Sequence, residues 1–253
     1  MWRDLQNSIK EISLALFLLG CAQAWAGEVL IAVAANFASP LEKIATAFEQ
    51  ETGHRANFSI GSTGKFYAQI KNAAPYQVLL AADQETPAKL DREGFTEPGS
   101  RFTYATGKLV LWSKQPGLID EAGEVLKKNA FKHIAIADPK LAPYGLAALQ
   151  TLAKLGLEKE IMSKTVWGEN IGQAYLFVES QSAELGFVAL SQVYLDGRIK
   201  EGSAWQVPQS MHSPIRQDAV LLSSGKNTPA AKAFMSYLRS KRAKEIIKSY
   251  GYE

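Results

Sequence analysis

The sequence is poor in cysteine and histidine, and it has no long apolar run after its first residues. The single cysteine, Cys21, lies in an N-terminal apolar segment, so a chain that loses this segment has no disulfide and no thiol chemistry. None of the three histidines has zinc-ligand spacing to another histidine or to cysteine. These absences favour structural or surface roles for the histidines and argue against a permanent membrane span.

Catalytic and nucleotide-binding signatures are also missing. No Gly-x-Ser-x-Gly elbow and no Gly-x-Gly-x-x-Gly fingerprint is present. The segment from Gly61 to Lys65 resembles a phosphate loop, but only two residues separate its glycines and Phe66 follows the lysine. The charge is nearly balanced, at +3. The basic stretch 239–244 fits a solvated helix face better than a nucleic-acid surface, so no nucleic-acid partner is expected.

The first 26 residues have the pattern of a removable export signal. An apolar stretch covers residues 12–20, and Ala24-Trp25-Ala26 forms a small-residue cleavage site before Gly27. We therefore expect an exported protein. Leu18-Leu19-Gly20-Cys21 distantly resembles a lipoprotein cleavage box, so lipid anchoring at Cys21 is the less favoured alternative.

Strand-like and helix-like segments alternate along residues 27–253, which predicts an α/β fold with mostly parallel sheets and flanking helices. The length suits one large domain or two lobes. In a two-lobed protein, residues 27–106 would begin lobe 1, residues 107–213 would form lobe 2, and residues 214–253 would return to lobe 1, with a hinge between the lobes. The chain should cross between the lobes near 104–108 and near 214–218.

Three small polar loops carry the main functional signal. They are Ala34–Ser39, Gly61–Gly64 and Asn170–Gly172, and a helical pattern follows each of them. Free N–H groups and about half a positive charge at a helix N-terminus attract anions. Several such ends brought together would bind an anion without arginine or lysine.

Each residue in these loops also has a simpler interpretation. Gly61–Gly64 could be an ordinary turn, and Asn36 could be a plain helix cap. Tyr144 precedes a helix and could either cover the edge of the core or donate from its phenol into a cleft. Asp83 and Asp138 each follow a strand, and we interpret both as turn and cap residues rather than catalytic acids.

An ordered set of motifs resembles one known family. The set comprises Ala34-Ala35-Asn36-Phe37, Ser62-Thr63, Ala81-Ala82-Asp83-Gln84, Ala137-Asp138-Pro139, Pro143-Tyr144-Gly145 and Tyr250-Gly251-Tyr252. Together these motifs resemble the periplasmic molybdate-binding proteins of molybdate ABC importers. The resemblance implies a two-lobed periplasmic binding protein, type II-like, that has no enzymatic activity and needs no cofactor.

The resemblance also implies a set of contacts to a tetrahedral oxyanion. The donors would be Asn36, Thr63 with Ser62 beside it, Tyr144, and the backbone N–H of Ile171. These residues would contact the metal of molybdate or tungstate only through the oxyanion. Many family members carry a tyrosine where this chain has Ala189, and the Tyr144 hydroxyl could replace the missing group.

A buried dianion must recover its lost hydration through hydrogen bonds, and none of the donor positions is acidic. Phosphate, which often carries a proton, would need an acceptor there. Together with this argument, the resemblance implies a monomer that binds molybdate, with tungstate equivalent, and delivers it to an inner-membrane ABC permease. The alternatives are a sulfate or other oxyanion binder, and a secreted hydrolase that uses a serine of the Ser62 loop.

Overall fold

The computed structural model describes residues 26–253. The predicted signal sequence, including Cys21, lies outside this range except for Ala26. The strands are β1 Glu28–Ala34, β2 Arg55–Gly61, β3 Val78–Leu80, β4 Phe102–Gly107, β5 Leu109–Ser113, β6 Ile134–Ala137, β7 Thr165–Gly168, β8 Leu185–Ala189, β9 Tyr194–Leu195, β10 Arg198–Ile199, β11 Ser203–Gln206 and β12 Ile215–Leu221.

Helices connect most of these strands. They are α1 Ala38–Thr52, α2 Thr63–Lys71, α3 Glu85–Arg92, α4 Val125–Lys128, α5 Pro143–Leu155, α6 Glu158–Met162, α7 Ile171–Glu179, α8 Leu190–Val193, α9 Pro229–Tyr237 and α10 Lys241–Ser249, with 3-10 turns at Ala35–Phe37, Gln209–Met211 and Ser223–Gly225. None of the helices within residues 26–253 combines the length and the apolar character needed to cross a membrane.

Two five-stranded sheets form the framework, which confirms the predicted α/β class. The strand order is β2-β1-β3-β12-β4 in the first sheet and β11-β5-β8-β6-β7 in the second. Both sheets are mixed rather than mostly parallel as predicted, because each has two parallel and two antiparallel neighbour pairs. Crossover helices join β1, β2 and β3 in the first sheet and β6, β7 and β8 in the second, and the strands of each set run parallel. β12 and β5 each run antiparallel to both of their neighbours.

Each sheet is covered by helices whose apolar faces form a core. In α1, Leu41, Ile44 and Phe48 recur at helical spacing and are fully buried in the core of the first sheet. Phe48 meets Phe234 of α9 edge-on, with ring centroids 5.4 Å apart. In the second sheet every residue of β5 is buried, as expected for a strand covered on both faces.

The chain passes between the two sheets at two neighbouring places. β4 ends at Gly107 and β5 begins at Leu109, while β12 returns the chain to the first sheet. β4 and β12 pair antiparallel with Ile215 opposite Gly107, and the pairing shifts register between Gln217 and Asp218. The two crossing segments therefore lie side by side, at the edge of the space between the sheets.

Several element ends differ from the sequence prediction. Ser39-Pro40 has the sequence pattern of a helix cap followed by the first helical residue, but α1 begins at Ala38 and Ser39 lies inside the helix. Tyr144 is the second residue of α5 rather than part of the preceding loop. The apolar pattern of residues 229–249 predicts one helix, but the structure has two, because the Ser240 hydroxyl caps α10 by accepting a hydrogen bond from the N–H of Ala243.

Candidate functional site

The five residues expected to bind an anion line a single small cavity between the two sheets. The volume of the cavity is about 10 Å³. The lining comprises Ala34, Ala35, Asn36, Gly61, Ser62, Thr63, Ala82, Ala142, Pro143, Tyr144, Asn170 and Ile171. The structure therefore brings together loops that are more than 100 residues apart along the sequence.

Four helical N-termini converge on this cavity. Asn36 lies in the 3-10 turn Ala35–Phe37, Thr63 begins α2, Tyr144 lies in the first turn of α5, and Ile171 begins α7. The N–H groups of a first turn have no intrahelical partner. Pro143 has no N–H, so Tyr144 carries the first backbone donor of α5. The cavity is thus bordered by free backbone donors and by the positive ends of helix dipoles.

Two hydroxyl groups add side-chain donors. The Oγ atom of Ser62 is buried and has no hydrogen-bond partner within residues 26–253. The Oγ1 atom of Thr63 accepts a hydrogen bond of 3.0 Å from the N–H of Ala82. Because one lone pair of Thr63 is occupied in this way, its proton is available for a group in the cavity.

No residue that lines the cavity is charged at neutral pH. A charged pair lies outside the cavity, where Lys65 of α2 forms an ion pair with Glu169, just before α7. Both side chains are exposed by more than two fifths. An exposed pair of this kind contributes little to stability, but it joins segments that belong to different sheets.

The Asn36 side chain is held by a buried network that the sequence did not reveal. Its Nδ2 atom donates to Oε1 of Gln217 at 2.8 Å and to the hydroxyl of Tyr252 at 2.9 Å. Its Oδ1 atom is buried without a partner in the described part of the chain. In this arrangement the backbone N–H is the donor of Asn36 that remains for the cavity.

The Tyr144 hydroxyl belongs to the same network. It accepts a hydrogen bond of 3.1 Å from Nε2 of Gln217. Burial raises the pKa of Tyr144 well above its ordinary value of 10.0, so the phenol stays protonated at neutral pH. Ala189 is fully buried at the end of β8 and does not line the cavity. The aromatic residue that lines the cavity, Tyr144, therefore comes from α5 rather than from β8.

Sequence reasoning missed Gln217 and the hydrogen bonds of Tyr252. One signal was visible in the sequence, because Gln217 and Asp218 are polar residues beside an apolar strand pattern. Both residues are buried in the structure. Asp83 has the predicted cap role, because its Oδ1 atom accepts a hydrogen bond of 2.8 Å from the N–H of Thr86. Burial raises the pKa of Asp83, and the hydrogen bonds from Thr86 act against this rise.

Known proteins resemble the chain over nearly its whole length. A model of the bacterial extracellular solute-binding protein family matches residues 29–253. The molybdate-binding protein ModA of Azotobacter vinelandii is 58% identical over 241 residues, which cover 95% of this chain and 95% of that protein. The molybdate-binding protein ModA of Rhodobacter capsulatus is 48% identical over 240 residues, with coverages of 95% and 94%.

A solved structure agrees with this relationship. The periplasmic molybdate-binding protein of Azotobacter vinelandii matches with a TM-score of 0.86 and 46% sequence identity, over 89% of this chain and 98% of that one. These relatives are binding proteins and not enzymes.

Proposed function

Since the chain belongs to the molybdate-binding proteins within the bacterial extracellular solute-binding family, we propose that it captures molybdate in the cavity between its sheets and delivers it to an ABC importer. The observation that carries this proposal is the convergence of four helical N-termini and the unpartnered Ser62 hydroxyl on a cavity without charged side chains. The backbone donors of Asn36, Thr63, Tyr144 and Ile171 bind the anion, and the hydroxyls of Ser62, Thr63 and Tyr144 complete its shell.

The neutrality of the cavity favours an anion that carries no proton. Molybdate and tungstate are unprotonated at neutral pH and need only donors. Hydrogen phosphate would need an acceptor, and no carboxylate lines the cavity. Tungstate is almost the same size as molybdate and is expected to bind equally. Sulfate is also unprotonated and is therefore the alternative ligand. It is smaller than molybdate, so only the size of the closed cavity can discriminate between the two anions.

A serine hydrolase is the alternative from another class, and the geometry disfavours it. A nucleophilic serine needs a general base within hydrogen-bond reach. The Ser62 hydroxyl has no such partner among residues 26–253. Burial without a base fits a hydroxyl that donates to a ligand.

Transport also requires export and a membrane partner. Residues 1–26 act as the signal sequence, and the mature chain works in the periplasm as a monomer with an inner-membrane permease. Residues 27–106 and 214–253 make one lobe and residues 107–213 the other. The grouping of strands in the two sheets supports this division. Closure of the lobes over the anion follows from a site built from both of them.

A thermal-shift series with molybdate, tungstate, sulfate and phosphate tests the proposal. A ligand that binds only the folded state stabilises it by about 4 kcal/mol at a thousandfold excess over Kd. Molybdate and tungstate should raise the midpoint of unfolding most, and phosphate should leave it unchanged. An equal rise with sulfate would favour the alternative oxyanion, and no rise with any of the four would contradict oxyanion binding.

A further inference from the structure

Gln217 occupies a central position in the buried network beside the cavity. Its side chain is fully buried, and it lies on the crossing strand β12 at the point where the register with β4 shifts. Irregularities of this kind re-aim a side chain relative to a regular strand. The amide of Gln217 thereby reaches both Asn36 of the first loop and Tyr144 of α5.

The two ends of this amide have opposite roles. Oε1 accepts hydrogen bonds from Nδ2 of Asn36 at 2.8 Å and from the hydroxyl of Tyr104 at 3.0 Å. Nε2 donates to the hydroxyl of Tyr144 at 3.1 Å. Asn36 therefore donates both of its amide hydrogens, to Gln217 and to Tyr252. The hydroxyl of Tyr144 accepts from Gln217, so its own proton points away from Gln217, toward either the cavity or the neighbouring hydroxyl of Tyr252.

One other arrangement would satisfy the same groups. If the amides of Asn36 and Gln217 both turned over, Nε2 of Gln217 would donate to Asn36 and Oε1 would accept the proton of Tyr144. Turning only one amide would place two oxygens or two N–H groups against each other. Consequently, Asn36 and Tyr144 cannot both direct side-chain protons into the cavity while Gln217 lies between them.

From this geometry we infer that Gln217 is a positioning residue, which turns the Tyr144 proton toward the bound oxyanion and holds the amide hydrogens of Asn36 away from it. This inference rests on the proposed function, because it concerns the same anion. It assigns to Asn36 a backbone contact and to Tyr144 a side-chain contact. Gln217 does not line the cavity and acts only through Asn36 and Tyr144.

A double-mutant cycle between Gln217 and Tyr144 tests the inference by calorimetric titration with molybdate. In the wild-type background Tyr144→Phe should weaken binding by about 10- to 150-fold, the range for a hydrogen bond to a charged group. Glutamate at position 217 can accept the phenolic proton once it is ionised. In the Gln217→Glu background at high pH, Tyr144→Phe should then change the affinity by less than about twofold.

The titrations of the cycle are run from pH 6 to pH 9.5, because a buried carboxyl can titrate as high as about pH 8 to 9. The ionisable groups that face position 217 are the phenols of Tyr104, Tyr144 and Tyr252, whose pKa values burial raises above 10.0. Asp218, the next residue in the chain, forms an ion pair with Arg101. A Tyr144→Phe penalty that stays equal in both backgrounds across this range would overturn the inference.

Gln77→Glu is the matched control, since Gln77 also joins elements of the first sheet through both ends of its amide. It accepts from the N–H of Leu30 and donates to Thr228, away from the cavity. The Tyr144→Phe penalty should be unchanged in this background. If wild-type protein failed to bind molybdate, the proposed function would be wrong, whereas binding without coupling would contradict only the role of Gln217.

Neutron diffraction from the wild-type complex with molybdate provides a direct second measurement that needs no variant to fold. We expect deuterium on the Tyr144 oxygen to point at an oxygen of the anion and deuterium on Nε2 of Gln217 to point at Tyr144. Deuterium on Nδ2 of Asn36 that points at the anion would overturn the inference.

Discussion

The Ser191 hydroxyl donates a hydrogen bond of 2.8 Å to the main-chain carbonyl of Asn36. This bond joins α8, beside the second sheet, to the loop that contains Asn36. The Tyr252 hydroxyl lies within 3.0 Å of Ser191 Oγ and 2.8 Å of the same carbonyl. The penultimate residue of the chain is thus buried where the two halves of the protein meet. It supports the loop that presents the N–H of Asn36 to the cavity.

Tyr252 should make the fold sensitive to high pH. Burial raises its pKa to about 12 from an ordinary value of 10.0, so its stabilising effect is present below pH 10 and is lost as the pH rises toward 12. Between pH 10 and pH 12 the unfolded chain loses the Tyr252 proton while the folded chain keeps it, so the free energy of unfolding falls by about 1.4 kcal/mol per pH unit.

Tyr252→Phe should be less stable at pH 7, because it loses the hydrogen bonds to Asn36 and Ser191, and it should lose stability less steeply above pH 10. Urea unfolding at a series of pH values measures both effects. If the variant followed the wild-type slope, the alkaline sensitivity would have to come from other groups.

Ser62→Ala should weaken molybdate binding without lowering the stability of the ligand-free protein. The hydroxyl has no partner in the described chain, so only the bound anion can use it. The expected loss of affinity is about 10- to 150-fold, as for other hydrogen bonds to charged groups. Calorimetry and thermal unfolding measure the two quantities, and Ser39→Ala at an exposed position on α1 is the control. Wild-type affinity in Ser62→Ala would remove Ser62 from the site.

Molybdate affinity should be nearly independent of pH between about 6.5 and 8.5, because no group in the cavity changes its charge in that range. The pKa of the lining phenol, Tyr144, is well above 10.0 as a result of burial. Titrations at several pH values in one buffer system of constant ionic strength check this prediction. A tenfold change would show that an ionisable residue outside the lining acts on the anion.

Gly107→Ala should impair binding although Gly107 contacts no ligand. A methyl group at this position would collide with the Tyr144 hydroxyl and the Gln217 amide. Overpacking of this kind lowers the free energy of unfolding by about 1 to 3 kcal/mol. The groups that must move to make room are the Tyr144 hydroxyl and the Gln217 amide.

We expect a loss of affinity of at least about tenfold, with the fold retained. Gly27→Ala is the matched control, because its nearest neighbour would lie at 3.3 Å on Ala230. Equal affinities in the two variants would contradict the importance of this close approach.

Local sequence determined the parts of the site that depend on helix ends. A polar loop between an apolar strand and a helical pattern predicts free N–H groups wherever it occurs, because the pairing of backbone groups within a helix is local. Asn36, Ser62, Thr63 and Ile171 could therefore be predicted as cavity residues without a structure. The α/β class followed in the same way from the alternation of strand and helix patterns.

Helix ends were less well determined where two signals competed. Ser39 before Pro40 has the pattern of a cap, yet the 3-10 turn at Ala35–Phe37 runs directly into α1. The last helical region has one continuous apolar pattern, but Ser240 interrupts it by capping the second helix. In these places the path of the chain over the core decided the end of the helix.

Only the tertiary structure decided the direction of strand pairing and the polarity of the buried network. Whether β12 enters its sheet antiparallel depends on where the chain returns from the second sheet, which no short pattern records. The bond between Asn36 and Gln217 spans 181 residues, and that between Tyr144 and Gln217 spans 73. The sequence by itself thus determined which donors can meet an anion. Which of their protons are free to do so depends on packing between segments that are distant along the chain.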